Sequence, residues 1–515
     1  MKFNSLEFIF IFLPIVCTVF YIILKLRNKN DAIIFLTISS FLFYGYWNFY
    51  YIFLIGGSII VNFFLGKYIS ASSRRHSKTL LLIIGVGFNL GLLGYFKYAN
   101  FFVETISALI GNTSQMETVI LPLAISFFTF QQIAYLVDAK SGAIRESSFL
   151  HYCLFVTFFP QLIAGPIVHH REMMPQFASL DSIRPWTENI TVGATVFCIG
   201  LAKKTLIADS LAGYADPVFA AADAGTSVSM LEAWGGILAY SFQIYFDFSG
   251  YSDMAIGLGK LFGINLPLNF MSPYRASSIT DFWRRWHITL SRFLKNYLYI
   301  PLGGNRCGAT RTIISVMGTM LLGGLWHGAA WTFVIWGGMH GCFLLINRLW
   351  RHMLPGLNPH LGWRAAGWIM TFFCVSIAWV FFRAKSVAGA GSLLSALFGQ
   401  QAVILPESYL RFFHPFQGLA EKLNVQWGVL PLYGGKEQLA LLAVSAFIAF
   451  CLPNTYQIMN GYLSVTGSRL QLPFPAFTGA IRWQPMLFPA LLFGGVAALA
   501  VSAISRTSPF IYFNF

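Results

Sequence analysis

From residue 6 onward the chain reads as long, unbroken apolar runs separated by short polar connections. The runs do not alternate apolar and polar positions, so they fit helices rather than strands. A helix needs about 20 apolar residues to cross the hydrocarbon of a bilayer, and only helices or closed barrels satisfy their backbone there. Runs of that kind lie near 6–24, 32–47, 49–66, 79–96, 118–137, 151–168, 190–208, 230–248, 312–333, 331–349, 366–382, 438–453 and 486–504. Some should fuse or turn back, so we expect an all-α polytopic membrane protein with roughly 11–13 spanning or re-entrant helices. It should form one membrane-embedded domain over 1–515. Two stretches, 385–437 and 454–485, are too polar and too rich in Pro and Gly to cross easily, and are expected as extramembrane or interfacial loops.

Composition removes the soluble alternatives. Hydrophobic residues make up 56% of the 515 and charged residues 10%, against about 25% charged in a typical soluble domain. The surface of such a chain faces lipid. Its net charge of +15, from 34 Lys and Arg against 19 Asp and Glu, could suggest nucleic acid in a soluble protein. Here the bases fall in short connections such as Lys25/Arg27/Lys29 and Lys67/Arg74/Arg75/Lys78. That is the positive-inside pattern, not a nucleic-acid face. It predicts residues 25–31 and 67–78 in the cytoplasm, the turn at Trp47–Asn48 outside, and the N-terminus outside. The first run is followed by bases without a small-residue cleavage site and reads as a retained span. Seven cysteines with no C-x-x-C spacing support neither a disulfide frame nor a zinc site.

Ionisable groups inside apolar segments are costly and mark candidate function. They cluster between residues 95 and 340. Gln243, Asp247, Ser249 and Asp253 interrupt one run; the two acids cap helix ends or pair with buried bases, form a proton path in a transporter or flippase, or do catalytic acid work. In 281–296, Trp283, Trp286, His287, Leu290 and Leu294 share one helical face, with Asp281, Arg285, Arg292 and Lys295 largely opposite. That predicts a helix at the interface, as a surface anchor or an anion-binding face, with His287 turned inward. His327 lies in an apolar span among Trp326, Gly323, Gly324 and Gly328. His340 follows at about 220° round a continuous helix, so it is read as structural unless the helix breaks. Lys97, at a span end, reads as a snorkelling lysine. Pro160 and Pro166 predict a kinked or re-entrant segment at 158–166. His169-His170-Arg171-Glu172 is a weak metal candidate because a base stands among the donors. No H-E-x-x-H, Walker or G-x-S-x-G motif is present, so histidine is the best-placed neutral-pH base.

Seven motifs taken together are distinctive: Y-F-K-Y-A-N-F (95–101), L-P-L-A-I-S-F-F-T-F-Q (121–131), F-P-Q-L-I-A-G-P (159–166), Y-F-D-F-S-G-Y-S-D-M-A-I-G-L-G (245–259), F-W-R-R-W-H-I-T-L-S (282–291), Y-L-Y-I-P-L-G-G-N-R (297–306) and L-L-G-G-L-W-H-G-A (321–329). In these the chain resembles the membrane-bound O-acyltransferase family, in the branch that acetylates exported polysaccharides such as alginate. The likeness runs from the first span to the C-terminal S-P-F-I-Y-F-N-F and leaves only 385–485 without a matching motif. It implies helices around a central tunnel in a bacterial inner membrane, acetyl-CoA as cytoplasmic acyl donor, and no metal. It also implies an exported partner of the SGNH-hydrolase fold working with polysaccharide export machinery. The family's two histidines fall on His327 and His287. The resemblance implies a site lined by Trp326, Trp286, Gln243, Asp247, Ser249 and Asp253, and Arg284, Arg285, Arg292 and Lys295 are the candidates for the donor's phosphates.

Overall fold

The computed structural model describes residues 1–111, 119–144, 148–180, 186–354, 361–400, 403–410, 425–459, 461–463, 483–484, 487–504 and 510–511. Within them the fold is all-α, apart from a two-stranded parallel pair, β1 (Val403–Pro406) and β2 (Val425–Gly428), in register Val403 to Val425. Most of the expected runs are helices, often longer than their apolar centres; the run at 118–137 is helical from Ile125, and that at 151–168 breaks after Thr157. The N-terminal bundle holds α1 (Leu13–Leu26), α2 (Lys29–Gly45), α3 (Tyr51–Ala71) and α4 (Arg75–Leu93). A π-helical turn, Gly94–Tyr98, carries α4 into α5 (Ala99–Ile110), and α6 is Ile125–Lys140.

Among the described residues, five continuous helical stretches are long and apolar enough to cross a bilayer: Phe8–Leu26, Tyr51–Ala71, Arg75–Ile110, Trp186–Asp223 and Gly362–Arg383. Their outward faces carry large apolar side chains such as Phe53, Ile83 and Leu109, a surface that only lipid can solvate at no cost. Buried polarity ties the N-terminal bundle together, since in lipid helices cannot gain from leaving water. Asn89 Nδ2 donates to Asn62 Oδ1 at 2.6 Å, linking α4 to α3, and Gln132 of α6 donates to Ser58 of α3 at 2.9 Å.

Beyond α7 (Phe149–Thr157) the chain breaks at Phe158, makes one turn at Phe159–Leu162, and continues as irregular backbone to α9 (His170–Ala178), with α8 denoting that single turn. Residues 151–170 are all buried. Such backbone survives at membrane depth only inside protein, and the kinked segment expected from Pro160 and Pro166 is of that kind.

The core is organised on α12 (Met230–Leu261), 32 residues and about 48 Å long, buried on nearly all sides. It lies against α10 (Trp186–Ala202) at two glycine crossings. A Cβ on Gly193 would stand 2.7 Å from Gly257 O, and one on Gly250 would stand 2.7 Å from Gly200 O. Only glycine permits that approach. α15 (Gly308–His327) and α16 (Trp331–Met353) cross as closely, where a Cβ on Gly324 would meet Gly337 Cα at 3.1 Å. α11 (Asp209–Asp223), α17 (Leu361–Arg383) and α18 (Val387–Leu397) complete the packing around α12. The polar stretch 385–437 thus opens with a packed helix, whereas 411–424 and 464–482 fall outside the described residues.

Candidate active site

Residues 281–296 do not form one helix. α13 (Ile279–Arg285) stops, Trp286 is extended, His287 takes a left-handed conformation (φ 43°), and α14 (Ile288–Leu294) begins. The cause is Asn269. Its carbonyl accepts Ile288 N–H at 3.0 Å, and its Oδ1 accepts Thr289 Oγ1–H at 2.9 Å, so the backbone is captured from outside the helix. Thr289 Oγ1 in turn accepts the N–H of Ile167 at 2.9 Å, fixing the irregular segment after α8 beside it. Trp286 and His287 face inward as the periodicity predicted, at 1% and 0% exposure, but on a break instead of a helical face. A non-glycine residue at φ > 0 is strained by about 1–3 kcal/mol and gathers at functional sites. Among the described residues only Ala124, Ser272 and His287 do this.

Asn269 Oδ1 also lies 3.0 Å from His287 Nδ1. That oxygen can only accept, so Nδ1 carries the proton and Nε2 keeps the lone pair. The ring meets Phe248 of α12 at 4.8 Å and stands 6.4 Å, centroid to centroid, from His327.

His327 is the last residue of α15 and is 4% exposed. Trp326, Trp336 and Phe382 surround its ring at 4.9–5.2 Å. It lies in the wall of a cavity of about 100 Å³, shared with Trp47, Lys97, Ser126, Ile163, Trp326 and the chain between Leu121 and Phe127. Trp47 sits at the turn between α2 and α3, so the cavity lies toward the end of the bundle opposite the basic loops 25–31 and 67–78.

Three expectations change here. The helix does break after His327, and His340 on α16 reaches the same aromatic wall: Trp336 lies 5.1 Å from His327 and 4.7 Å from His340. Trp283 Nε1–H donates to His340 Nδ1 at 3.3 Å, which accounts for that histidine's burial. Lys97 does not snorkel. Its ammonium turns into the protein and donates to the carbonyls of Trp326 and His327 at 2.6 and 3.3 Å.

The acids of α12 stand apart from the cavity. Lys204 Nζ lies 2.6 Å from Asp247 and 2.7 Å from Asp209; Lys203 Nζ lies 2.6 Å from Asp253 and 2.8 Å from Thr455 Oγ1. Both acids are paired with bases, one of the arrangements expected from the sequence. Asp247 also accepts the N–H of Ile511 at 3.0 Å, bringing Phe510 onto Tyr251 at 4.3 Å. Gln243 and Ser249 are buried in α12, Trp286 packs on Trp379 at 5.0 Å, and none of the three lines the cavity. Only Trp326 of the expected lining residues does.

The basic candidates divide. Arg285 pairs with Asp281 at 2.9 Å and Arg292 makes a two-pronged bridge to Glu172 at 2.5 and 2.9 Å, so both are committed within the protein. Arg284 and Lys295 are exposed and make no ion pair among the described residues. His169, beside α9, is pushed down to about 3 by burial, with Arg292 adding, and is neutral near pH 7. No three His, Cys, Asp or Glu side chains among the described residues come together as a metal-binding group.

Asn269 and Ser126 are the site residues that sequence reasoning missed; Lys97 stood out but read as snorkelling, and Ile163 belongs to the 158–166 motif that the resemblance places at the site. Asn269 carried a signal, a lone amide in the apolar L-P-L-N-F (266–270). Ser126 carried none beyond its motif.

The family model for membrane-bound O-acyltransferases matches residues 136–388, a range that holds both histidines. A peptidoglycan O-acetyltransferase of Helicobacter pylori is 40% identical over 540 residues, covering 100% of this chain and 97% of its own. A probable alginate O-acetylase of Pseudomonas aeruginosa is 41% identical over 407 residues, 77% of this chain and 75% of its own. A teichoic acid D-alanyltransferase of Streptococcus thermophilus is 26% identical over 280 residues, 50% of this chain and 68% of its own.

Proposed function

The chain belongs to the membrane-bound O-acyltransferase family, and from that premise we propose that it takes an acetyl group from cytoplasmic acetyl-CoA and hands it across a bacterial inner membrane for O-acetylation of an exported polysaccharide. The observation that carries this is the position of His327, a buried histidine in a cavity wall with a second, tautomer-fixed histidine 6.4 Å away.

In the mechanism we infer, His327 takes the proton of an acceptor hydroxyl as its oxygen attacks the acetyl carbon. The C–O bond forms, the C–S bond of the thioester breaks, and the departing thiolate recovers the proton from the imidazolium. Such proton transfer contributes about 10²–10⁴-fold. His287, with Nδ1–H held by Asn269, offers only a lone pair at Nε2. It therefore cannot donate to the acyl carbonyl, and it cannot share the one proton of the reacting hydroxyl that His327 takes; it suits accepting from another donor on the acceptor and so orienting it. Arg284 and Lys295, exposed and without an ion pair among the described residues, are the residues suited to the coenzyme's phosphates; charge already taken by Asp281 and Glu172 leaves Arg285 and Arg292 out of that role.

A partner of the SGNH-hydrolase fold would carry the acetyl group onward outside the membrane, and the N-terminus would be periplasmic. For the polymer, similarity along the whole chain favours peptidoglycan over alginate, because the match to the peptidoglycan O-acetyltransferase covers 100% of this chain and that to the alginate O-acetylase 77%.

The test is His327→Ala in cells, with membrane insertion confirmed by quantitative blotting. Base-released acetate from purified peptidoglycan and from secreted polysaccharide should fall to background in the fraction that carries it. Retained acetylation would remove His327 from the chemistry. Acetate lost from secreted polysaccharide alone would replace peptidoglycan as the acceptor.

A further inference from the structure

The last four carbonyls of an α-helix have no partner within it. α15 ends on His327 with Gly328 extended and no backbone cap. Its carbonyls are instead met from another part of the chain. Tyr98 Oη–H donates to Leu325 O at 2.9 Å, and Lys97 Nζ donates to Trp326 O at 2.6 Å and to His327 O at 3.3 Å. Both donors come from the π-helical turn Gly94–Tyr98, an irregularity that recurs at functional sites.

A lysine is an expensive way to cap a helix inside a membrane protein. Lys97 has no carboxylate partner among the described residues. Its third contact is Ser126 Oγ at 3.3 Å, and the Trp326 ring lies 5.9 Å away. The charge is balanced by the negative end of α15 and by the indole face. All of these fall on the last two residues of the helix that ends in His327. A hydroxyl or an amide could satisfy the same carbonyls without a charge, so fixing the helix end against movement is the gain that a charge-assisted bond adds.

We propose that Lys97 and Tyr98 are positioning residues that clamp the C-terminal end of α15 and so hold His327 at the cavity wall. The inference rests on His327 being the base. The clamp acts on carbonyl oxygens four and five bonds from the reacting ring, on His327 and Trp326, where a displacement of about 1 Å can cost about 10²-fold in rate.

The experiment measures kcat and KM for acetyl-CoA on full-length protein in detergent or nanodiscs, per folded molecule, for wild type, Lys97→Met, Lys97→Arg, Tyr98→Phe and His327→Ala. Lys97→Met should lose about 10–100-fold in kcat with KM unchanged, and Lys97→Arg should recover to within about fivefold. Tyr98→Phe should lose about 3–10-fold in kcat, and it tests the clamp independently if Lys97→Met fails to fold. Wild-type kcat in Lys97→Met, or in Tyr98→Phe, would overturn the clamp. A rise in KM at unchanged kcat would also overturn it, because that marks direct substrate binding. An inactive His327→Ala beside an unaffected Lys97→Met would sink this inference alone. An active His327→Ala would sink the base assignment and the clamp with it.

Discussion

Replacing Lys204 by Met should damage the protein more than neutralising either acid that it holds. Its Nζ lies 2.6 Å from Asp247 and 2.7 Å from Asp209, and no side chain in the cluster is more than 3% exposed. One positive and two negative groups give the cluster a formal charge of −1. Asp247→Asn leaves the Lys204–Asp209 pair at zero and loses one charge-assisted hydrogen bond, a cost of about 1–2 kcal/mol. Lys204→Met leaves two buried carboxylates at −2 with nothing between them, and removing one partner of a buried pair costs about 3–5 kcal/mol. The double variant Lys204→Met with Asp247→Asn returns to −1 and should regain about 1–2 kcal/mol over Lys204→Met alone. Unfolding of purified protein in detergent gives the order directly, with acetylation normalised to folded protein as the second readout. A Lys204→Met protein as stable as Asp247→Asn would refute the charge reasoning. A stable Asp247→Asn protein with no activity per folded molecule would favour the proton-path alternative, since the cluster would then be doing more than holding α12 and Ile511 in place.

Two further outcomes are expected. Asn269→Leu removes the acceptor for His287 Nδ1–H and for Thr289, freeing the ring's tautomer; kcat should fall about 10–100-fold, whereas Asn269→Asp, which keeps an acceptor at Oδ1, should retain more, both read in the same kinetic assay. His169, with Arg292, Arg171, His170 and Tyr297 about it, is buried neutral, and the sign follows from its pKa of about 3 against about 6.5 unfolded. Below about pH 6.5 the unfolded chain binds the proton first, so stability is lost on acidification at up to about 1 kcal/mol per pH unit for this group. Thermal unfolding between about pH 7 and 5 should show that slope, and His169→Gln should reduce it by this group's share while His170, pushed down to about 4 by burial, keeps its own; an unchanged slope would mean that His169 takes up no proton on unfolding.

The sequence by itself determined that this is an all-α membrane protein, because apolar runs of bilayer length have one stable solution in lipid, and it marked His327 and His287 because a polar group in such a run is conspicuous. It also held the family resemblance in the order of its motifs. Which polar groups meet was decided only by the tertiary structure. Lys97 reaches the carbonyl of a residue 229 positions away, and Asp253 finds Lys203 at a separation of 50. Periodicity describes one helix at a time and has no term for such partners, so it read Lys97 as a snorkelling end and 281–296 as continuous. The break at His287 belongs to Asn269, 18 residues earlier, whose amide and carbonyl take hydrogen bonds that a helix would have kept. His340 was set aside on an angle that assumed an unbroken helix, and the close-packed glycines of α15 and α16 let the chain turn back after His327 instead. Local pattern fixes where the chain lies in the membrane; the site exists because buried donors and acceptors from distant segments must satisfy one another where no water is present to do it.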